Sequence, residues 1–220
     1  MLNKNSRPFC KNTGNIMDQK KIILTYDSIA NEYDKLYAKP SCHIKELLNY
    51  ISKDSVVLDL GCGAGNNATY LSKMGYNVTG MDLSDNMITI AKNKKSDAKF
   101  IKGDVRKLNF KNDSCDSIIS SYIFCHLSKK DVEKCLARFH DILRPGGMLF
   151  IELFTGNLGE ITIPEPMNNA LTIDFNIMAQ NDIELLLAAN NFKIIKFWIH
   201  DDTEFGLTGI QDTCIIAKKI

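Results

Sequence analysis

VVLDLGCGAGNNATYLS, residues 56–72, joins a short β-branched run to a glycine-rich turn and then to a helix-forming segment. Val56 to Leu60 reads as a buried strand, because a continuous apolar run bounded by turn residues suits a strand covered on both faces. Gly61, Gly63 and Gly65 follow directly. Glycine tolerates positive φ and lets a ligand approach the backbone closely. The helix predicted from Asn66 to Met74, with Gly75 as its stop, offers unpaired N–H donors at its start to a carboxylate or phosphate.

The same alternation continues outward. NVTGMDL (77–83) is a predicted strand, and SDNMITIAKNK (84–94) a helix with Ser84 as N-cap. AKFIKGD (98–104) and DSIISSYIF (116–124) are two further strands. Ser128 and Asp131 have capping-box spacing ahead of a helix from Lys129 to Leu143. Arg144-Pro145-Gly146-Gly147 is a turn, and MLFIELF (148–154) a buried strand. Strands alternating with helices predict a mostly parallel sheet covered on both faces. Upstream, helices are predicted over Lys20–Tyr37 and Ser41–Ser52. Downstream, residues 155–180 contain Pro164 and Pro166, lack helical periodicity, and read as an insertion that lids a substrate pocket. A helix near NDIELLLAANN (181–191) precedes two strands, Phe192–Ile199 and Asp212–Lys218. Joined without a helix, these two should be antiparallel, as at the edge of the sheet.

The totals restrict the function classes. A chain of 220 residues holds one α/β domain, here residues 19–220, preceded by a polar arm over 1–18 expected to be flexible. The charge balance is 27 basic against 26 acidic residues, so the basic excess that drives phosphate binding is missing and a nucleic-acid partner is disfavoured. Seven cysteines without a C-x-x-C pair argue against a metal site or a disulfide framework and for reduced thiols, hence a cytoplasmic location. No run approaches a membrane span, and the N-terminus lacks the apolar middle of a signal peptide. Nothing in the sequence specifies an oligomeric state.

Asp82 ends the second predicted strand, about 20 residues beyond the glycine turn, where an acid binds both hydroxyls of a ribose. Asp59 stands two residues before the first glycine. Next to a pyrophosphate that carboxylate would repel the ligand, whereas next to an ammonium and a sulfonium it attracts. The charge pattern therefore favours S-adenosylmethionine (SAM) over a dinucleotide.

On these residues the chain resembles the class I, Rossmann-like SAM-dependent methyltransferases. DLGCGAGNNATYLS (59–72) is similar to their first motif, and GMDLSDNMI (80–88) to their second. GDVRKLNF (103–110) is similar to the segment whose acid, here Asp104, meets the adenine amino group. LRPGGMLFIELF (143–154), YDSIANEYD (26–34) and DIELLLAANNF (182–192) are similar to the turn and fifth strand, the N-terminal helix and the last helix of small members. The resemblance implies a seven-stranded sheet with its last strand antiparallel, SAM as cofactor and S-adenosyl-L-homocysteine as product.

Several residues carry two readings. Asp59 either contacts the methionine end of SAM or caps the adjacent helix. Asp104, with the Val105 backbone, either meets adenine or begins a turn. Cys62 contributes its backbone alone, and Asn66, Leu83 and Met87 stand beside the two motifs as cofactor contacts. Ser120, Ser121 and Tyr122 end the fourth predicted strand, on the rim where ligands sit in open α/β sheets, with the serines assigned to the cofactor and Tyr122 to the substrate. Tyr26 is either a core aromatic or, as the resemblance implies, a residue closing over the cofactor. His126 is either a packed histidine or a base that takes a proton from the acceptor.

The reading that unites these residues is transfer of the sulfonium methyl to a small-molecule acceptor by in-line displacement. No N-P-P-Y segment and no motif cysteine of base-carbon methylases occur. An RNA or protein methyltransferase and a non-catalytic SAM-binding module stay open as alternatives. A nicotinamide oxidoreductase is disfavoured by Asp59.

Overall fold

A computed structural model describes residues 18–200 and 208–220; the arm expected over 1–18 falls, apart from Asp18, outside the described residues. The helices are α1 (Gln19–Leu36), α2 (Ile44–Leu47), α3 (Asn66–Lys73), α4 (Asp85–Asn93), α5 (Lys129–Ile142) and α6 (Gln180–Ala189). The strands are β1 (Val56–Leu60), β2 (Asn77–Asp82), β3 (Lys99–Lys102), β4 (Cys115–Ser121), β5 (Leu143–Gly156), β6 (Gly159–Glu165), β7 (Asn168–Ile177), β8 (Phe192–His200) and β9 (Ile210–Lys219). Seven strands form one sheet in the order β3-β2-β1-β4-β5-β9-β8, and β6 pairs with β7 separately. This is the α/β architecture expected of a Rossmann-like methyltransferase.

β1 to β5 pair in parallel, while β9 runs antiparallel to both β5 and β8. As expected, the last two strands are antiparallel to each other at one edge of the sheet. β9 inserts between β5 and β8, leaving β8 outside. Burial explains the order: Thr213 through Ala217 are all buried, as a central strand requires, whereas Lys193 and Lys196 mark β8 as an edge.

Successive residues of the central strands point to opposite faces and feed two cores. Leu58, Ile118, Leu149 and Ile215 pack with Leu136 and Phe139 of α5. Val57, Ile119, Phe150 and Ile216 pack with Ile44 and Leu47 of α2 and Leu71 of α3. Phe150 is fully buried, which stabilises the fold by roughly 2–3 kcal/mol, and Phe150→Ala would cost about 3–5 kcal/mol through the cavity left behind.

Caps fall where the sequence places them. Ser84 accepts from the Met87 N–H and Ser128 from the Asp131 N–H. Gly75 has φ +95°, a backbone suited to ending a helix. The helix expected over Ser41–Ser52 shortens to one turn, because Asn49 and Tyr50 bond three residues back and Asn, Tyr and Ser are weak helix formers. The strand expected to reach Phe124 ends at Ser121: Tyr122 adopts φ +56°, and Phe124–His126 form a 3-10 turn. Arg144–Gly147 bulge out of the ladder, which pairs Cys115 with Leu143 and then Ser117 with Met148.

The expected lid, residues 155–180, is a β-hairpin rather than an irregular loop. Ile161, Ile163, Ile173, Phe175 and Ile177 turn one face of it onto Cys125, Tyr122 and Phe154. α1 packs against both α4 and β7, so hairpin and helix border the carboxyl ends of the central strands together. Among the described residues no helix is long and apolar enough to cross a membrane.

Candidate functional site

Two acids and three glycines converge at the tips of β1 and β2. Gly61, Gly63 and Gly65 have φ of +70°, +51° and +79°. A Cβ on Gly61 would lie 2.4 Å from Ile123 Cγ1, and one on Gly65 2.7 Å from Phe100 Cε1. The turn thus requires glycine for both its torsions and its space. The Gly61 and Cys62 N–H groups donate to the Met81 carbonyl at 2.7 and 3.0 Å, tying the turn to β2. The Gly63 N–H donates to Asp82 Oδ2 and the Ser84 N–H to Oδ1, both at 2.9 Å. Burial nonetheless raises the Asp82 pKa.

Asp59 is 1% exposed, and its Oδ2 accepts from the Ala68 N–H of α3 at 3.1 Å. The capping reading therefore holds, and the same side chain also lines the cavity. Burial, with repulsion from Asp82 and Glu152, pushes its pKa up to about 7. A cation placed beside it would relieve that penalty.

The cavity has two adjoining parts. Gly61, Gly63, Asp82, Leu83, Met87, Asp104 and Val105 line the first, with Gln19, Ile22 and Ile23 of α1 across from them. Asp59, Cys62 and Asn66 line the second, which extends to Glu152, Phe154, Phe175 and Asp212. Tyr26, Tyr33, Ser121, Tyr122 and His126 border both parts, so the two adjoin.

Other expected residues divide between site and scaffold. Asp104 accepts from the Arg106 N–H at 3.0 Å, pairs with the Arg106 guanidinium at 3.1 Å and accepts from Gln19 Nε2 at 3.0 Å. It starts a turn and borders the cavity at once. Asn66 donates to the Tyr37 carbonyl and accepts from Lys94, so its side chain holds the scaffold. The Cys62 thiol is pushed well above its ordinary pKa by burial, which leaves it protonated. Ser121 lines the cavity, whereas Ser120 is fully buried and absent from the lining, as alternation along β4 dictates.

The Tyr26 hydroxyl lies 2.7 Å from His126 Nε2, and His126 Nδ1 lies 3.2 Å from the Asp174 carbonyl oxygen. A carbonyl only accepts, so Nδ1 carries the proton and Nε2 accepts from Tyr26. Burial pushes the His126 pKa down to about 4. His126 is therefore a neutral imidazole near pH 7 and a poor holder of an acceptor's proton.

Sequence reasoning missed the far end of the cavity. Glu152 is 4% exposed; its Oε1 accepts from Ser41 Oγ and lies 3.7 Å from His43 Nδ1, and its Oε2 is buried without a partner among the described residues. The Tyr122 hydroxyl donates to both Asp212 oxygens at 2.9 Å. His43, Glu152 and Cys214 each place a donor atom within 4.8 Å of the others, a grouping that cysteine spacing did not suggest. The available signal was Glu152 itself, a lone acid inside the apolar run MLFIELF.

Residues 58–151 match the family described as a methyltransferase domain. The chain is 32% identical over 126 residues to an uncharacterized methyltransferase of Oceanobacillus iheyensis, covering 56% of this chain and 59% of that protein. It is 28% identical over 155 residues to the ubiquinone/menaquinone biosynthesis C-methyltransferase UbiE of Campylobacter jejuni, covering 62% and 65%. The chain thus spans about three fifths of the length of these relatives. A SAM-dependent methyltransferase structure from Methanosarcina mazei superposes with TM-score 0.71 at 22% identity, covering 83% of this chain and 99% of that one. The Burkholderia thailandensis 1,6-didemethyltoxoflavin-N1-methyltransferase, with 1,6-didemethyltoxoflavin and S-adenosylhomocysteine bound, superposes with TM-score 0.69 at 18% identity, covering 91% and 88%. The sheet order, the glycine turn and its two acids are as expected, and the chain has the Rossmann-like fold of these structures, with residues 58–151 similar to a methyltransferase domain.

Proposed function

We propose that this chain transfers the methyl group of SAM to a nucleophilic atom of a small-molecule acceptor. One observation carries the reading: a buried acid, Asp59, and a half-buried one, Asp82, flank a glycine turn and line two adjoining cavities. A buried carboxylate beside a second acid is unfavourable unless a cation compensates it. The residues fit such a ligand. Asp82 is steadied by two backbone N–H groups and presents its carboxylate to the first part of the cavity, where it would hold the ribose. Leu83, Met87 and Val105 supply apolar walls for a base, with Asp104 at the rim. Asp59 would face the positively charged methionine end.

SAM supplies an already activated methyl on a cationic sulfur, so the chain needs no covalent chemistry of its own. Its residues bind, orient and exclude water. Tyr26 and Tyr33 from α1 and Phe175 from the hairpin border the space where an acceptor would meet the cofactor. His126, neutral and fixed in one tautomer, positions Tyr26. The names of two similar proteins support a small acceptor: UbiE is a ubiquinone/menaquinone biosynthesis C-methyltransferase, and the toxoflavin enzyme holds 1,6-didemethyltoxoflavin.

The test is release of S-adenosylhomocysteine when the protein and SAM meet a panel of small phenols, amines and thiols. Release above the acceptor-free rate with at least one compound supports the reading. Tight SAM binding with no release from any compound favours a binding module instead.

A further inference from the structure

The acceptor half of the cavity is built from rings that lead to acids. Six rings follow one another along it in T-shaped or tilted contact: Tyr33, Tyr26, His126, Phe175, Phe154 and Tyr122. Successive centroids are 6.1, 5.4, 5.1, 5.9 and 5.0 Å apart. At the Tyr122 end stand Glu152 and Asp212 on adjacent strands. Glu152 pairs with Cys214 and Phe154 with Asp212 across the β5–β9 ladder, so both acids and Phe154 lie on one face of the sheet.

Three observations converge on what this wall accepts. Aromatic faces attract cations and repel anions, because the ring quadrupole is negative above the plane. Glu152 is buried, and one of its oxygens has no partner among the described residues, a costly state for a carboxylate in the absence of a donor. Tyr122 holds a left-handed backbone, φ +56°, that is unfavourable for a bulky residue, and from there its hydroxyl reaches both oxygens of Asp212. Among the described residues, the basic side chains on this lining are Lys39, His43 and the neutral His126; His43 stands 3.7 Å from Glu152 Oε1, and Oε2 has no partner among them.

We infer that the acceptor is an amine, seated against the aromatic wall with its nitrogen directed to Glu152 and Asp212. The inference rests on the methyltransferase reading and narrows its acceptor class. An amine arriving as an ammonium gives one proton to the Asp212 carboxylate. Its freed lone pair then forms the N–C bond to the methyl, the C–S bond breaks, and that electron pair stays on sulfur. The products are a methylammonium and a neutral thioether.

The experiment loads the protein with S-adenosylhomocysteine and titrates two matched trios of probes. One is phenethylamine, 2-phenylethanol and 3-phenylpropionate; the other is hexylamine, 1-hexanol and heptanoate. The expected result is that the amine of at least one trio binds on the order of tenfold tighter than its alcohol and its acid. That preference should disappear in Glu152→Gln and Asp212→Asn, both of which should keep their affinity for S-adenosylhomocysteine. Equal binding across both trios, tighter binding of the acids, no binding of any probe, or a preference unchanged in both variants would overturn the amine assignment. Failure to bind S-adenosylhomocysteine at the first step would instead strike the methyltransferase reading itself.

Discussion

The Tyr26 hydroxyl donates to His126 Nε2 at 2.7 Å, joining α1 to the 3-10 turn after β4 across the mouth of the cavity. The same imidazole donates from Nδ1 to the Asp174 carbonyl of β7. One neutral ring thereby ties the N-terminal helix, the strand tips and the hairpin together.

That bonding predicts how His126 titrates. Its folded pKa of about 4 lies below the ordinary value of 6.5. Stability from this group is therefore complete above pH 6.5 and is lost as pH falls toward 4. Nitrogen NMR should show His126 as the Nδ1–H tautomer, unprotonated from pH 5.5 to 8. Protonation with a midpoint near 6.5 would rule this arrangement out. Tyr26→Phe keeps the ring but orphans Nε2, and should lower stability by about 1–3 kcal/mol.

Asp59 carries the opposite sign. Its pKa is raised to about 7, so folding is favoured while the group is protonated, and that advantage fades from about pH 4 to pH 7. Asp59→Asn preserves an acceptor for the Ala68 N–H and removes the buried charge. At pH 8 the variant should melt higher, by an amount on the order of 5 °C, with the difference shrinking toward pH 4. It should also bind SAM at least about tenfold more weakly. Unchanged melting at pH 8 would mean that the charge is not destabilising.

Gly61 should not accept a side chain. At φ +70°, alanine pays about 1 kcal/mol in backbone energy, and its Cβ would meet Ile123 at 2.4 Å. Gly61→Ala should cost roughly 2–4 kcal/mol in all. Combined with Ile123→Ala, the loss should be smaller than the sum of the two single losses, since only the steric part is relieved. Strict additivity in urea denaturation would place the clash elsewhere.

Much of this architecture was legible because its determinants are local. The β-branched run at Val56–Leu60, the glycines behind it and the caps Ser84 and Ser128 each act within a few residues. The hairpin was missed although Ile161/Ile163 and Ile173/Phe175/Ile177 alternate with a period of two; Pro164 and Pro166 masked that pattern. The place of β9 was not readable from β9 alone, since inner and edge positions differ by which strand covers it. Glu152 and Asp212 stayed hidden for a related reason: 60 residues of sequence separate two acids that only the β5–β9 ladder brings together. His126 was rightly weighed between two roles, and its bonds favour positioning.

Lys21 Nζ lies 2.7 Å from both Asp174 oxygens and fastens α1 to the hairpin. The pair is partly exposed, so its direct contribution to stability is at most about 1 kcal/mol. Lys21→Met should leave the melting temperature within about 2–4 °C of the parent. It should speed SAM dissociation and hydrogen exchange in β7, because the border of the cavity is loosened. Exchange in β7 that matches the parent would show the hairpin to be held by its apolar face alone.

The electrostatic basis of cofactor choice is open to one calorimetric comparison. SAM, S-adenosylhomocysteine and NAD are titrated into the parent protein and into Asp82→Ala. Both S-adenosyl ligands should bind the parent, with NAD weak or silent, and Asp82→Ala should lose affinity for both by roughly 2 kcal/mol as charge-assisted hydrogen bonds disappear. Binding of NAD alone, or full SAM affinity in the variant, would show that the acids flanking the glycine turn do not select a cationic nucleoside.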